Sequence, residues 1–253
     1  MDFLTPTKSQ IADWARLGQK RARRERGLFL IEGEVCTREA LASKARLDAI
    51  LVLGSEEEKW AELLDRAKKI PQYLLNSDAF QRVSKVETSQ GIVAVGKLFS
   101  LPARKTKLAM AVEQVSDPGN CGALIRVADF FGASELHLGP GSADVWNEKV
   151  VRGSMGSIFH QPVRADAELT ELIAHWEGST VAAVSHDGRK LEARNLKLES
   201  PILLVLGHET RGLSPDIAAA CSHRLTLEPS GDAESLNLVT AAAVFSYALT
   251  QHV

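Results

Sequence analysis

Ser235 and Asn237 stand where a polar loop carrying Pro229 and Gly231 gives way to an apolar stretch of helix length, Leu238 to Leu249. The first turn of a helix leaves backbone N–H groups without intrahelical partners. Side chains of these types either cap those groups or offer a hydroxyl and an amide to a ligand, and from this loop alone both readings stand. Two other apolar runs of strand length end in the same way. Leu203–Leu206 stops at Gly207-His208-Glu209-Thr210-Arg211-Gly212, and Leu108–Val112 leads to Ser116-Asp117-Pro118-Gly119-Asn120-Cys121-Gly122, with Arg126 further on. In an open parallel sheet, ligands bind at loops on the carboxyl ends of strands, so three such loops imply one composite pocket.

Several other chemistries are not indicated. His208-Glu209-Thr210-Arg211-Gly212 opens like the zinc-protease pattern but has Gly212 where a second histidine is needed. Gly139-Pro140-Gly141 opens like a dinucleotide fingerprint but lacks the third glycine and the helix that should follow. No G-x-S-x-G occurs, which removes the common serine-hydrolase reading. The cysteines Cys36, Cys121 and Cys221 are an odd number, widely spaced and without a C-x-x-C, so neither a disulfide framework nor a metal site is indicated.

In order along the chain, Asn120-x-Gly122-x-x-x-Arg126, Leu206-Gly207-x-Glu209-x-x-Gly212-Leu213 and Ser235-Leu236-Asn237 resemble the three motifs of the SpoU (TrmH) branch of the SPOUT RNA methyltransferases. That resemblance implies transfer of a methyl group from S-adenosylmethionine to a ribose 2′-hydroxyl in structured RNA, with ribosomal RNA ahead of transfer RNA. It implies a catalytic set of Arg126, Asn120, Glu209, Ser235 and Asn237, and cofactor contacts at Gly207, Leu227 and Leu236. Arg152, in the segment from Lys149 to Ser157, matches a family segment and is assigned an RNA contact. A homodimer through the C-terminal half is implied as well; the final helix, with Ala241-Ala242-Ala243, Phe245 and Tyr247, offers a face for it, and burial within one subunit is the other reading of that face.

An arginine stays protonated in proteins, so Arg126 is read as stabilising a developing alkoxide and orienting phosphate, with the proton leaving to phosphate or water. Its plainer reading is a surface arginine paired with a carboxylate. Asn120 and Glu209 are read as positioning groups, although Glu209 could equally pair with Arg211. Two positions depart from the family pattern. Leu227-Glu228-Pro229 stands where Ile-Pro-Met is common, and His208 where asparagine is frequent. Glu228 sets a carboxylate beside the cofactor loop, which motivates an alternative function: a catalytically weak or inactive RNA-binding protein that keeps the fold.

The elements that must position these residues alternate along the chain. After Leu108, strands at Leu108–Val112, Glu135–Leu138, Val181–Val184, Ile202–Leu206 and Arg224–Leu227 interleave with helices near Ala123–Phe131, Asn147–Gly153, Glu168–Trp176, Pro215–Cys221 and Leu236–Leu249, the pattern of a parallel α/β sheet. Spacing alone suggests an unknotted order. The resemblance instead implies a SPOUT domain with a deep trefoil knot. Residues 1–98 read as a smaller three-layer α/β unit with no convergent His, Cys or carboxylate set, and by resemblance as an L30-like RNA-binding domain. Residues 99–107 are polar and basic and read as a linker, leaving 108–253 for the methyltransferase domain.

The formal net charge of -2 conceals a split: residues 1–107 hold 20 basic against 14 acidic residues, and residues 108–253 hold 10 against 18. The first part is therefore the better partner for a polyanion, and Arg16, Lys20, Arg21, Arg23, Arg24 and Arg26 form its densest basic run. A solvated helix face is the plainer reading of that run. No apolar stretch reaches the length of a membrane span, and the first residues lack a signal pattern, so the expected location is cytoplasmic.

Overall fold

The computed structural model describes residues 3–191, 197–232 and 235–251; Ala233 and Glu234, within the third motif's loop, lie outside the described residues. The chain divides into two compact units. One comprises Met1–Phe99 with Trp146–Phe159, the other Ser100–Val145 with His160–Val253. The backbone therefore passes between units three times.

The first unit is built from α1 (Lys8–Arg16), α2 (Lys20–Arg26), β1 (Leu28–Glu32), α3 (Glu34–Ala42), β2 (Leu47–Leu53), α4 (Ala61–Arg66), β3 (Gln72–Leu75), α5 (Ser77–Val83) and β4 (Ile92–Lys97). Its sheet runs β1-β4-β2-β3, with β2 and β3 parallel and the other pairs antiparallel. Alternation along the strands makes two apolar faces. Leu30, Ala49, Leu51, Val93 and Val95 meet Trp14, Leu17, Phe80 and Val83 of the α1 and α5 side. The Phe29 ring, of the opposite parity, packs against Trp146 with centroids 4.6 Å apart, and Phe99 in turn meets Trp146 at 4.9 Å. These rings explain why Trp146–Phe159 joins this unit.

The basic run forms a separate helix, α2, ended by Gly27 in the left-handed region at φ 65°. After β2 the chain makes two 3₁₀ turns, Gly54–Glu56 and Glu58–Trp60, and only then α4, because Trp60 sits at φ -99°, ψ 4°, outside the helical well, with its ring buried.

The second unit contains β5 (Leu108–Val112), α6 (Pro118–Phe130), β6 (Leu136–Leu138), β7 (Val163–Arg164), α8 (Leu169–Ala174), β8 (Thr180–Val184), β9 (Arg189–Lys190), β10 (Ile202–Leu206), α9 (Pro215–Ala220), β11 (His223–Thr226) and α10 (Leu238–Thr250). The intervening helix α7 (Glu148–Gly153) belongs to the first unit. The sheet order is β7-β6-β5-β10-β8-β11-β9 and every described pairing is parallel. Both faces are covered, as the uniformly buried β5 and β10 require. Leu169, Ile173, Ile217 and Ala218 of α8 and α9 pack on Ala109, Ala111, Leu203 and Val205, while α6 and α10 pack together, with α10 also against β5 and β10. Among the described residues, no helix is long and apolar enough to cross a membrane.

Candidate functional site

Parallel pairing brings the carboxyl ends of β5, β10, β8 and β11 side by side, since Leu206 is level with Val112 and Thr226 with Val184. Chain direction across the sheet reverses next to β5, with β6 on one side and β10 on the other, which places the crevice between the loops that follow β5 and β10. All three motifs start from this edge.

The first motif opens α6 earlier than expected. Asp117 caps the helix, its Oδ1 accepting from Asn120 N at 2.8 Å, and Pro118 fits the first turn, where a missing N–H costs nothing. Asn120 thus lies in the first turn. The second motif is a tight turn in which His208 and Gly212 exchange N–H···O bonds of 2.9 Å. Gly212 has φ +67°, which favours glycine, and a Cβ on Gly207 would lie 2.1 Å from the Gly212 carbonyl carbon and the Leu213 nitrogen, so closure of the loop depends on the missing side chain at Gly207. The third motif caps α10: Asn237 Oδ1 accepts from Val239 N at 2.9 Å.

The three loops converge on Glu209. Its Oε2 accepts from Asn120 Nδ2 at 2.8 Å, and its Oε1 accepts from Asn237 Nδ2 at 3.0 Å. Arg211 is not its partner; that guanidinium donates to Gln114 Oε1 at 2.7 Å. Arg126 is exposed on α6, two-thirds of a turn off the Asn120 stripe and ~9 Å further along the axis. Among the described residues it hydrogen-bonds to none of the other motif side chains. Ser235 is likewise exposed in the segment before α10, without such a bond among the described residues. Arg152 lies in α7, within the first unit.

Two residues of the site were missed in the sequence. Glu113 Oε2 accepts from Ser214 N at 2.8 Å at the start of α9, and Gln114 holds Arg211, so the two residues after β5 fasten the second motif's loop. Their signal was available: polar residues directly following a fully apolar strand. Cys121, beside Asn120, is no nucleophile, because burial, followed by the nearby Asp144 and Asp117 carboxylates, pushes its thiol up to about 12. Gly139 is explained by packing, since a Cβ there would lie 2.2 Å from the Glu113 carbonyl oxygen.

S-adenosylmethionine offers an adenine edge, a ribose, a sulfonium and an amino-acid tail, and the residues present fit it. Gly207 supplies backbone close to the β10 end, Leu227 is half-buried just beyond β11, and Leu236 leaves a large apolar side chain 50% exposed beside polar loops, a surface suited to an adenine face. Glu228 meets Lys190 Nζ at 2.5 Å. Both side chains are more than half exposed, so the pair adds at most ~1 kcal/mol, but it directs the unexpected carboxylate to a cation of its own. Among the described residues, no group of three or more His, Cys, Asp or Glu could hold a metal ion.

The model of the SpoU rRNA Methylase family matches residues 107–247, and that of the MRM3-like substrate binding domain matches residues 8–94. The chain is 33% identical to the 23S rRNA (guanosine(2553)-2′-O)-methyltransferase RlmP of Bacillus subtilis, over 98% of this chain and 99% of that one. It is 29% identical to the 23S rRNA (uridine(2479)-2′-O)-methyltransferase of Streptomyces viridochromogenes, over 96% and 90%. The solved structure of the SpoU methyltransferase AviRb from Streptomyces viridochromogenes in complex with AdoMet is similar with a TM-score of 0.83 at 28% identity, covering 97% of this chain and 98% of that one. That of a TrmH-family putative RNA methyltransferase from Porphyromonas gingivalis gives 0.81 at 29% identity, with the same coverage.

Proposed function

Because the chain belongs to the SpoU rRNA methylase family, we propose that it transfers a methyl group from S-adenosylmethionine to a ribose 2′-oxygen of ribosomal RNA. The observation that carries this reading is the Glu209 carboxylate, which from the second motif ties an amide of the first to an amide of the third. Relatives named as 23S rRNA 2′-O-methyltransferases and a neighbour solved with AdoMet support the substrate class and the cofactor.

Bound at Gly207, Leu227 and Leu236, S-adenosylmethionine supplies an electrophilic methyl group on a sulfonium. The attacking hydroxyl must lose its proton, yet this set holds no strong base: both Glu209 oxygens already accept N–H bonds, and a guanidinium keeps its proton. Arg126 therefore donates to the developing alkoxide and a neighbouring phosphate, and the proton leaves to phosphate or water. Glu209 fixes Asn120 and Asn237 in orientation, so Asn120 Oδ1 and the second N–H of each amide meet the ligands without a further ordering cost. Ser235 adds a hydroxyl at the same loop.

The proposal includes a homodimer, a cytoplasmic setting and the deep knot. α10 divides its residues: Ala242, Phe245, Ser246 and Leu249 are buried within the chain, whereas Tyr247 is 62% exposed and, on the adjoining α6, Phe130 is 82% exposed. Those exposed rings support a self-association face. The knot is supported by the path of the chain, which leaves β11 beyond β8 and returns to lay α10 over β5 and β10. Nothing in the geometry favours a catalytically inactive RNA-binding protein, since Glu228 is engaged by Lys190.

The test is to incubate the purified protein with labelled methyl donor and ribosomal RNA from cells lacking it, then map 2′-O-methyl positions. One new site, absent without protein, is the expected result. Label on a base, or none on RNA, would overturn the reading.

A further inference from the structure

A solvent-facing cavity of about 200 Å³ opens in the first unit between α1, β1, β2 and β3, and none of the methyltransferase motifs lines it. Its wall includes Trp14 and Tyr73, whose rings meet edge to face with centroids 5.0 Å apart. Gln10 Nε2 donates to the Tyr73 hydroxyl at 3.1 Å, fixing the ring and leaving its O–H to donate. Two carboxylates flank the rings. Asp13 accepts from Arg26 at 2.6 Å, and Asp48 lies 3.9 Å from Lys97 Nζ. Asp48 is the extra residue of a bulge, because pairing with β4 shifts between Leu47 and Ala49, and a bulge re-aims a side chain.

These features restrict the ligand. The volume is below the ~300–1,000 Å³ of pockets that enclose a drug-sized molecule, so one ring system fits rather than a whole nucleotide. An ionised carboxylate only accepts, so the edge it meets must bring N–H donors. The part-exposed Arg26 and Lys97 suit a ring joined to phosphates. Adenine and cytosine each place an acceptor next to their amino group, and uracil flanks one N–H with two carbonyls. Guanine alone presents two adjacent donors, N1–H and N2–H₂, to the two oxygens of one carboxylate.

We propose that this cavity captures one unpaired guanine of the RNA substrate, its donor edge on Asp48 and its ring face against Tyr73. The inference rests on the reading of this protein as an RNA enzyme, and it makes the first unit a reader of a single splayed base, the mode by which sequence is usually read in RNA.

The experiment uses the full chain and short labelled single-stranded RNAs that differ at one central position, guanine or adenine, with affinity read by fluorescence anisotropy. Guanine RNA is expected to bind ~10-fold tighter, the discrimination of one bidentate pair. Asp48→Ala should weaken the guanine RNA while leaving the adenine RNA unchanged or tighter, since a negative charge near phosphate is lost. Affinity for S-adenosylmethionine reports whether the variant is folded. If wild type does not distinguish the two RNAs, or if Asp48→Ala tightens both, the cavity is not a guanine site. Methyl transfer to ribosomal RNA is assayed separately: guanine preference without methyl transfer would remove the enzyme reading and keep the pocket, and methyl transfer without preference would do the reverse.

Discussion

Arg126 and Asn237 stand at different distances from the Glu209 carboxylate, and their removal should have different consequences. Arg126→Ala is expected to lower single-turnover methylation by ~10²–10³, the usual cost of losing one donor aimed at developing negative charge, while calorimetric affinity for S-adenosylmethionine stays near wild type. Arg126→Lys should recover little, because an ammonium lacks the planar fork. Asn237→Ala should weaken cofactor binding as well as rate, since it removes both the cap of α10 and a bond to Glu209. A near wild-type rate for Arg126→Ala would move the catalytic assignment to Glu209 or Ser235. The sequence left capping and ligand binding as alternatives for Asn237; the amide's oxygen caps Val239 while its nitrogen reaches Glu209. Arg23 was harder to read. It stands in the basic run, yet it is buried and donates to the Leu17 carbonyl at 2.7 Å, so it is not available to a polyanion. A run of like charges gives no sign of which member turns inward.

The second motif's loop makes a sharper comparison than any side chain, because its two glycines are favoured for different reasons. Gly207→Ala would press a Cβ into backbone at 2.1 Å, and backbone cannot move aside as a side-chain tip can. The loop should open, with ~1–3 kcal/mol lost in denaturant unfolding and cofactor affinity lost with it. Gly212→Ala meets nothing within 4 Å and carries only the strain of its left-handed φ, ~1–2 kcal/mol, so cofactor binding should survive. Equal loss of cofactor affinity in both variants would contradict this account. The five longer strands of the second unit and its helices were legible, most to within a few residues, because fully apolar runs such as Ile202–Leu206 alternate with capped helices, whereas β7 and β9, two residues each at the sheet's edges, carry no such run. Their order was not. The placement of β10 between β5 and β8 depends on contacts between distant parts of the chain, which no local period records.

At the scale of the molecule, self-association through exposed rings predicts that Phe130→Asp with Tyr247→Asp gives a monomer by light scattering at micromolar concentration, where wild type is a dimer. A monomeric wild type would remove the idea. RNA affinity of the full chain should fall steeply with salt, following the excess of basic residues in 1–107. Composition made that charge split legible, but not the three passages between units, since Phe29 and Trp146 are partners across more than a hundred residues. Those passages bear on how the protein comes apart. A protease that nicks the chain once, within residues 100–107, severs only the first passage, and the segment Trp146–Phe159 stays packed into the first unit while still joined by peptide bonds to the second. The two fragments should therefore co-elute from a sizing column in native buffer and separate only in denaturant. By the same logic neither unit can be transplanted into another protein as one uninterrupted stretch of gene. A graft of the first unit that omits residues 146–159 would leave the Phe29 ring without its Trp146 partner.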